Sequence, residues 1–261
     1  MMSAFAALPR RERFLVGAGL LSVTLLAWAY LFRDAAGMGT ATAAGCMRMQ
    51  MAGPEFSAWP VATLPPLFAM WAIMMVAMML PSALPMVLTF AAVARNRRRL
   101  GRPYVPVAIF VSGYLIVWCA FSAVAAVGQW LLHRSALLSA GMASTSALFA
   151  GLLLLAAGVF QFTPLKRACL THCRSTFEFI MTRWREGSGG ALRMGLEHGT
   201  FCTGCCWALM TLLFVVGVMN LFWIAALTAL VCVEKMLPAR TGISSATGVI
   251  LLVWGVCVLA R

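Results

Sequence analysis

The stretch HGTFCTGCCW, which begins at His198, holds a dense group of thiol and imidazole side chains. On an α-helix, residues at i, i+4, i+7 and i+8 lie on one broad face. The spacing therefore predicts that one imidazole and three thiols are presented together: His198, Cys202, Cys205 and Cys206. Soft sulfur ligands combined with imidazole favour Cu(I), and they also suit Zn(II).

A second group occurs upstream in CLTHC, where Cys169, His172 and Cys173 follow i, i+3, i+4 and fall within one helical turn. A single cysteine in an apolar helix is usually a small packing residue. Two clusters of cysteine and histidine are better explained as halves of one soft-metal site. A Cu(I) site needs only two or three ligands, so the sequence leaves open which of them bind at once.

Methionines form a third candidate set. Thioethers are neutral, soft ligands for Cu(I), although a stripe of methionines can also be flexible core filler. One group lies in MWAIMMVAMMLPSALPM, where helical spacing gives two ladders, and another lies in CMRMQM, where an extended backbone would point alternate side chains the same way. The candidates are Met70, Met74, Met75, Met78 and Met79 in the first group and Met47, Met49 and Met51 in the second.

Two acidic residues lie next to these groups. Glu197 precedes His198 and could orient a ligand histidine by a hydrogen bond. Glu234 and Lys235 end an apolar run, where ionisable groups are costly and usually paired. They either support the metal site or only end a helix before Pro238, and both interpretations stay open.

The elements that carry these residues are apolar runs. The chain has 261 residues, 62% hydrophobic and 10% charged, which is typical of a polytopic membrane protein. We predict an all-α bundle of about seven transmembrane helices, as one integral membrane domain over 1–261 with an outer loop at 33–66 and an inner loop at 164–195. The runs are 14–32, 67–92, 104–132, 145–163, 196–218, 220–237 and 242–260.

The basic residues indicate the orientation of these runs. If the N-terminus is cytoplasmic, sixteen of the 20 lysines and arginines lie in inner segments, as the positive-inside rule requires. The net charge of +13 is then explained by loops that face an anionic leaflet, and not by nucleic acid. This orientation places both cysteine clusters at the cytoplasmic side of a bacterial inner membrane.

Several enzyme classes lack their signatures. The sequence has no phosphate-cradling Gly loop, no Cys-x-x-Cys-His haem motif and no compact serine-nucleophile motif. Three histidines are too few for a bis-histidine haem beside a copper centre, and they also argue against a copper oxygenase. A thiol/quinone oxidoreductase using Cys202-x-x-Cys205 stays an alternative, although the reducing cytoplasmic side disfavours disulfide formation.

The sequence resembles a bacterial family of metal-binding integral membrane proteins, a domain of unknown function described as copper-binding. The matching pieces are WAIMMVAMMLPSALPM, FQFTPLKRACLTHCRS, GLEHGTFCTGCCWALM, GVMNLFW and EK, which run from Trp71 to Lys235. As ligands, the resemblance implies Met74, Met78, Met79, Cys169, Cys173, His198, Cys202, Cys205 and Cys206.

We therefore predict a membrane Cu(I)-binding protein that takes up, transfers or delivers copper without ATP. Its partners would be the lipid membrane and a copper chaperone or a copper-dependent membrane enzyme. The alternatives are the oxidoreductase described above and an accessory subunit with a structural zinc site.

Overall fold

A computed structural model describes residues 9–49, 60–102, 105–135, 144–237 and 241–260, with the backbone alone for 38–49. Every regular element in this part of the chain is helical, which confirms the all-α prediction. After α1 a short 3-10 turn, Val61–Thr63, leads into α2. The α-helices are α1 Arg10–Met49, α2 Leu64–Arg99, α3 Val107–Arg134, α4 Ala147–Phe160, α5 Pro164–Arg174, α6 Thr176–Arg183, α7 Gly187–Thr211, α8 Leu213–Val216, α9 Leu221–Met236 and α10 Ile243–Leu259.

The number of helices that could span a membrane is lower than the predicted seven. Four helical segments of the described chain are long and apolar enough: Arg10–Gly37, Val61–Arg99, Val107–Arg134 and Gly187–Val216. A fifth is obtained if α4 and α5, which meet at 63°, are counted as one broken span. The last two predicted runs do form helices, α9 and α10, but with 16 and 17 residues they rise only about 25 Å.

The predicted inner loop at 164–195 is mostly helical, because it contains α5, α6 and the first turns of α7. Pro164 at the first helical position and the Thr163 hydroxyl, which accepts from the backbone N–H of Lys166, begin α5. This helix matters for the site, since CLTHC lies on it, as the i, i+3, i+4 spacing predicted, and it packs against α7.

Within the predicted outer loop at 33–66, the backbone of α1 continues as a helix to Met49. The last part of α1 is rich in alanine, which is the best helix former. The extended backbone predicted for Met47 and Met49 is therefore wrong, since the backbone of both residues is helical. Met51 lies outside the described residues.

A close helix crossing fixes α7 against α3. A Cβ added at Gly195 would lie 2.1 Å from the carbonyl oxygen of Phe110, and one at Gly113 would lie 2.3 Å from that of Leu192. One turn further, a Cβ at Gly199 would lie 3.0 Å from Val117. These glycines let the two backbones touch, as small residues do in membrane helix pairs.

Candidate metal centre

Four buried thiols meet where α5 packs on α7, and we call Cys173, Cys202, Cys205 and Cys206 the thiol cluster. The Sγ atoms of Cys173 and Cys205 are 3.9 Å apart, and Cys173 also interacts with the thiol of Cys202. None of the four is more than 7% exposed. The structure therefore brings CLTHC and HGTFCTGCCW together at one place.

The backbone of α7 orients two of these thiols. Cys205 and Cys206 both donate to the carbonyl oxygen of Cys202, at 3.0 Å each. Such bonds to a residue three or four positions earlier hold the side chains along the helix. The Cys206 Sγ then lies 4.0 Å from the Sδ of Met79 on α2.

Cys169 reaches α7 because Gly204 has no side chain. A Cβ at Gly204 would lie 2.8 Å from the Sγ of Cys169, closer than real Cβ atoms approach sulfur. Gly199, in contrast, packs against α3. Gly204 is therefore the glycine that allows α5 to pack closely against α7.

A lysine and a tyrosine complete the surroundings of Cys202. The Lys235 Nζ donates to the Cys202 Sγ at 2.9 Å and to the Ser82 Oγ at 3.0 Å. The Tyr114 hydroxyl lies 3.2 Å from the same sulfur and donates to the carbonyl oxygen of Met79 at 3.1 Å. Sequence reasoning missed these contacts, although an ionisable residue at the end of an apolar run was a signal for Lys235.

Glu234 pairs with Lys166 of α5, and not with its neighbour Lys235. The Lys166 Nζ donates to both carboxylate oxygens, at 2.8 and 3.0 Å, and also to the Gln161 side chain. The Arg174 Nε donates to the backbone carbonyl of Glu234 at 2.8 Å. These bonds join α5 to α9 beside the thiol cluster.

His198 is buried next to the cluster, one turn before Cys202. Its ring stacks on Tyr114 and Phe110, with centroid distances of 5.5 and 6.2 Å. Its Nδ1 is buried and has no hydrogen-bond partner in the described part of the chain. An unpaired buried nitrogen is costly, so a metal ion that accepts its lone pair would remove that cost.

His172 and Glu197 make other contacts. The His172 Nδ1 bonds to the carbonyl oxygen of Ala168 at 2.9 Å, and its ring stacks on Phe201 at 4.3 Å. The Glu197 carboxylate forms ion pairs at the protein surface with Arg183, Arg185 and Arg193. The structure therefore brings neither side chain into contact with the thiol cluster.

The α2 methionines are part of the core. Met74, Met75, Met78 and Met79 are fully buried, and Met70 is 5% exposed. Of the candidate methionines, Met79 is the one whose sulfur has a described contact with the cluster.

Two contacts between sulfur atoms have distances close to 4 Å. Among the described residues, no three His, Cys, Asp or Glu side chains are placed so that they could hold one ion. These contacts are Cys173 with Cys205 and Cys206 with Met79, and Cys173 also interacts with Cys202. A structural zinc site closes four ligands around the ion, whereas soft sulfur atoms in a small number suit Cu(I).

Comparison with known proteins gives one family. A protein-family model, PpoB2, described as a copper chaperone, matches residues 68–258. No curated protein and no solved structure matches the chain. The matched region includes the thiol cluster and the α2 methionines, and it leaves out Met47, Met49 and Met51.

Proposed function

Because the chain belongs to the PpoB2 copper chaperone family, we propose that it is a membrane protein that binds Cu(I) on the thiol cluster and passes the ion to a partner. The single observation that carries this proposal is the cluster itself. Four thiols and the Met79 thioether lie together in a buried place, and such soft ligands favour a soft monovalent ion.

The charge of the surroundings supports the same ion. A Cu(I) held by two thiolates carries a net negative charge, which is costly to bury alone. The Lys235 ammonium, 2.9 Å from the Cys202 sulfur, compensates that charge. The Lys166 and Glu234 charges cancel one another, whereas the Lys235 ammonium donates directly to a cluster sulfur.

We place the protein in a bacterial inner membrane with the thiol cluster near the cytoplasmic side. The four long apolar helices support insertion, and the distribution of lysine and arginine supports the orientation.

Cys169 and His198 are proposed as additional ligands, and the α2 methionines as a thioether path toward Met79. Met47, Met49, Met51 and His172 remain predictions from the sequence, as does the role of Glu197 in orienting His198. For Glu234 we propose a supporting role, because its pair with Lys166 holds α5 against α9.

The partner in this proposal is a protein that exchanges Cu(I) through thiols. A soluble copper chaperone or a copper-dependent membrane enzyme would serve as donor or acceptor. Exchange between sulfur ligands needs no ATP, which agrees with the absence of a phosphate-cradling Gly loop from the sequence.

The test is the metal content of purified protein loaded with Cu(I) under reducing conditions and measured by mass spectrometry. Wild type is expected to retain copper, and the double variant Cys202→Ser/Cys205→Ser is expected to lose it. The matched control is Cys119→Ser/Cys257→Ser, because both cysteines are exposed and lie outside the cluster. Negligible copper in wild type, or equal copper in all three proteins, would refute the proposal, and zinc alone would favour the structural-zinc alternative.

A further inference from the structure

The thiol cluster is almost closed to solvent, so a bound ion needs a route. Cys202 and Cys206 are 1% exposed and Cys205 is 2% exposed. A cavity of about 210 Å³ adjoins the cluster between α2, the α5–α6 junction and the end of α9. Of the four cluster thiols, Cys173 lines this cavity.

We propose that this cavity is the port through which Cu(I) enters and leaves the cluster, with Cys173 as the first cluster thiol that the ion meets. The proposal rests on the proposed function, because it assigns a route to the same metal site. We call the cavity the copper port, and its soft ligands are Met236, Met86 and Cys173.

The lining of the copper port is graded from exposed to buried sulfur. Met236 lies at the end of α9 and is 64% exposed, whereas Met86 on α2 is 1% exposed. Both thioethers line the same cavity as Cys173. Neutral thioethers bind Cu(I) without adding a buried charge, so they suit transient contacts with a moving ion.

At the inner end of the copper port, Cys173 is in contact with the thiols of Cys205 and Cys202. Lys235 also lines the port, and its ammonium is bonded to Cys202 and Ser82, which places a cation in front of Cys202. The Cys173 sulfur is 3.9 Å from that of Cys205. One hand-over breaks one Cu–S bond and forms another, and the proton of the incoming thiol passes to the outgoing one, so charge is conserved.

The charge at the port selects the form in which copper arrives. Arg174 and Lys235 both line it, and both are cationic. A free cuprous ion is repelled by these groups, whereas an anionic Cu(I)–thiolate complex is attracted. The donor chemistry that fits is therefore a negatively charged thiol carrier of Cu(I).

Alkylation tests the accessibility of the port. Metal-free, reduced protein is treated with limiting N-ethylmaleimide, and modified cysteines are identified by peptide mass spectrometry. Cys173 is expected to be modified before Cys202, Cys205 and Cys206, and loading with Cu(I)–glutathione is expected to protect it. Modification of another cluster thiol before Cys173 would overturn the proposal.

Transfer kinetics test the route. Wild type, Met236→Trp and Val233→Trp are loaded from Cu(I)–glutathione and mixed with excess bathocuproine disulfonate. Val233 is the matched control, because it lies one turn away on α9, is 41% exposed and does not line the port. The Met236→Trp protein is expected to release its copper several-fold more slowly than wild type, while Val233→Trp, which leaves the port unchanged, binds as much copper as wild type and releases it at the wild-type rate.

The outcomes separate the two proposals. If wild type holds no copper, the proposed function fails. If all three proteins hold equal copper and release it equally fast, the metal site stands and the copper port is refuted.

Discussion

The buried ion pair between Lys166 and Glu234 leads to a prediction about stability. The change Glu234→Gln keeps the shape of the side chain but removes its negative charge. We expect it to lower the free energy of unfolding by about 3–5 kcal/mol, because an unpaired ammonium is left in the interior. The pair also joins α5, which carries Cys173, to α9, which carries Lys235.

The magnitude follows from the geometry. The two side chains are 1% and 3% exposed, and the Nζ atom is 2.8 Å from the nearer carboxylate oxygen. At an effective dielectric constant of about 20, unit charges at this distance attract by about 6 kcal/mol before desolvation is subtracted. In the variant Lys166 keeps its bond to Gln161, which places the expected loss in the lower part of the range.

A double variant distinguishes the loss of the whole ion pair from the loss of one of its two charges. Lys166→Met/Glu234→Leu removes both charges, and apolar replacement of a buried pair is often neutral or stabilising by about 1–4 kcal/mol. The double variant is therefore expected to be more stable than Glu234→Gln. The control is Glu186→Gln, which breaks the half-exposed pair with Arg97 and should cost at most about 1 kcal/mol.

The assay is thermal unfolding of the purified protein in detergent, followed by circular dichroism. A loss of 3–5 kcal/mol corresponds to a fall in Tm of about 6–20 °C for a chain of this size. The reasoning is refuted if Glu234→Gln unfolds at the wild-type temperature. It is also refuted if the double variant is less stable than Glu234→Gln.

Three further changes test the site and the fold. Lys235→Met should lower the fraction of copper retained against a chelator, while Lys235→Arg should retain more, because the guanidinium still compensates the thiolate charge. Gly195→Ala should lower Tm strongly, since its Cβ would lie 2.1 Å from a backbone oxygen of α3, and Gly189→Ala, where nothing lies within 4 Å, should not. Gln129→Leu should cost about 1–3 kcal/mol in thermal unfolding, because it leaves the buried Trp71 indole N–H without its 2.6 Å bond.

Helical periodicity predicted the part of the site that lies within one element. The i, i+4, i+7, i+8 spacing placed the thiols of α7 on one face, and the structure has Cys202, Cys205 and Cys206 all buried there. The same spacing rule grouped Cys169, His172 and Cys173 on α5. It could not tell which of the three contacts the thiols of α7, because the rotation of α5 about its axis is set by tertiary packing. His172 therefore stacks on Phe201 at the edge of the site, while the two cysteines point inward.

Contacts between elements that are far apart along the chain could not be predicted from the sequence. Lys235 on α9 and Tyr114 on α3 both contact Cys202. The spacing of residues within one helix does not indicate such contacts. The predicted number of spanning helices was too high for a related reason. Hydropathy marks where the apolar runs lie, but the ends of α9 and α10 and the bend after α4 depend on capping residues and on Pro164.

In the proposed function the protein binds Cu(I) and also releases it, and close contacts between sulfur atoms would serve both steps. A closed four-ligand site holds its metal tightly, which suits a structural role. Here two pairs, Cys173 with Cys205 and Cys206 with Met79, offer the ion alternative partners a few ångströms apart. An ion that exchanges one sulfur at a time keeps a ligand throughout, so each step is less costly than complete release into the low-dielectric interior.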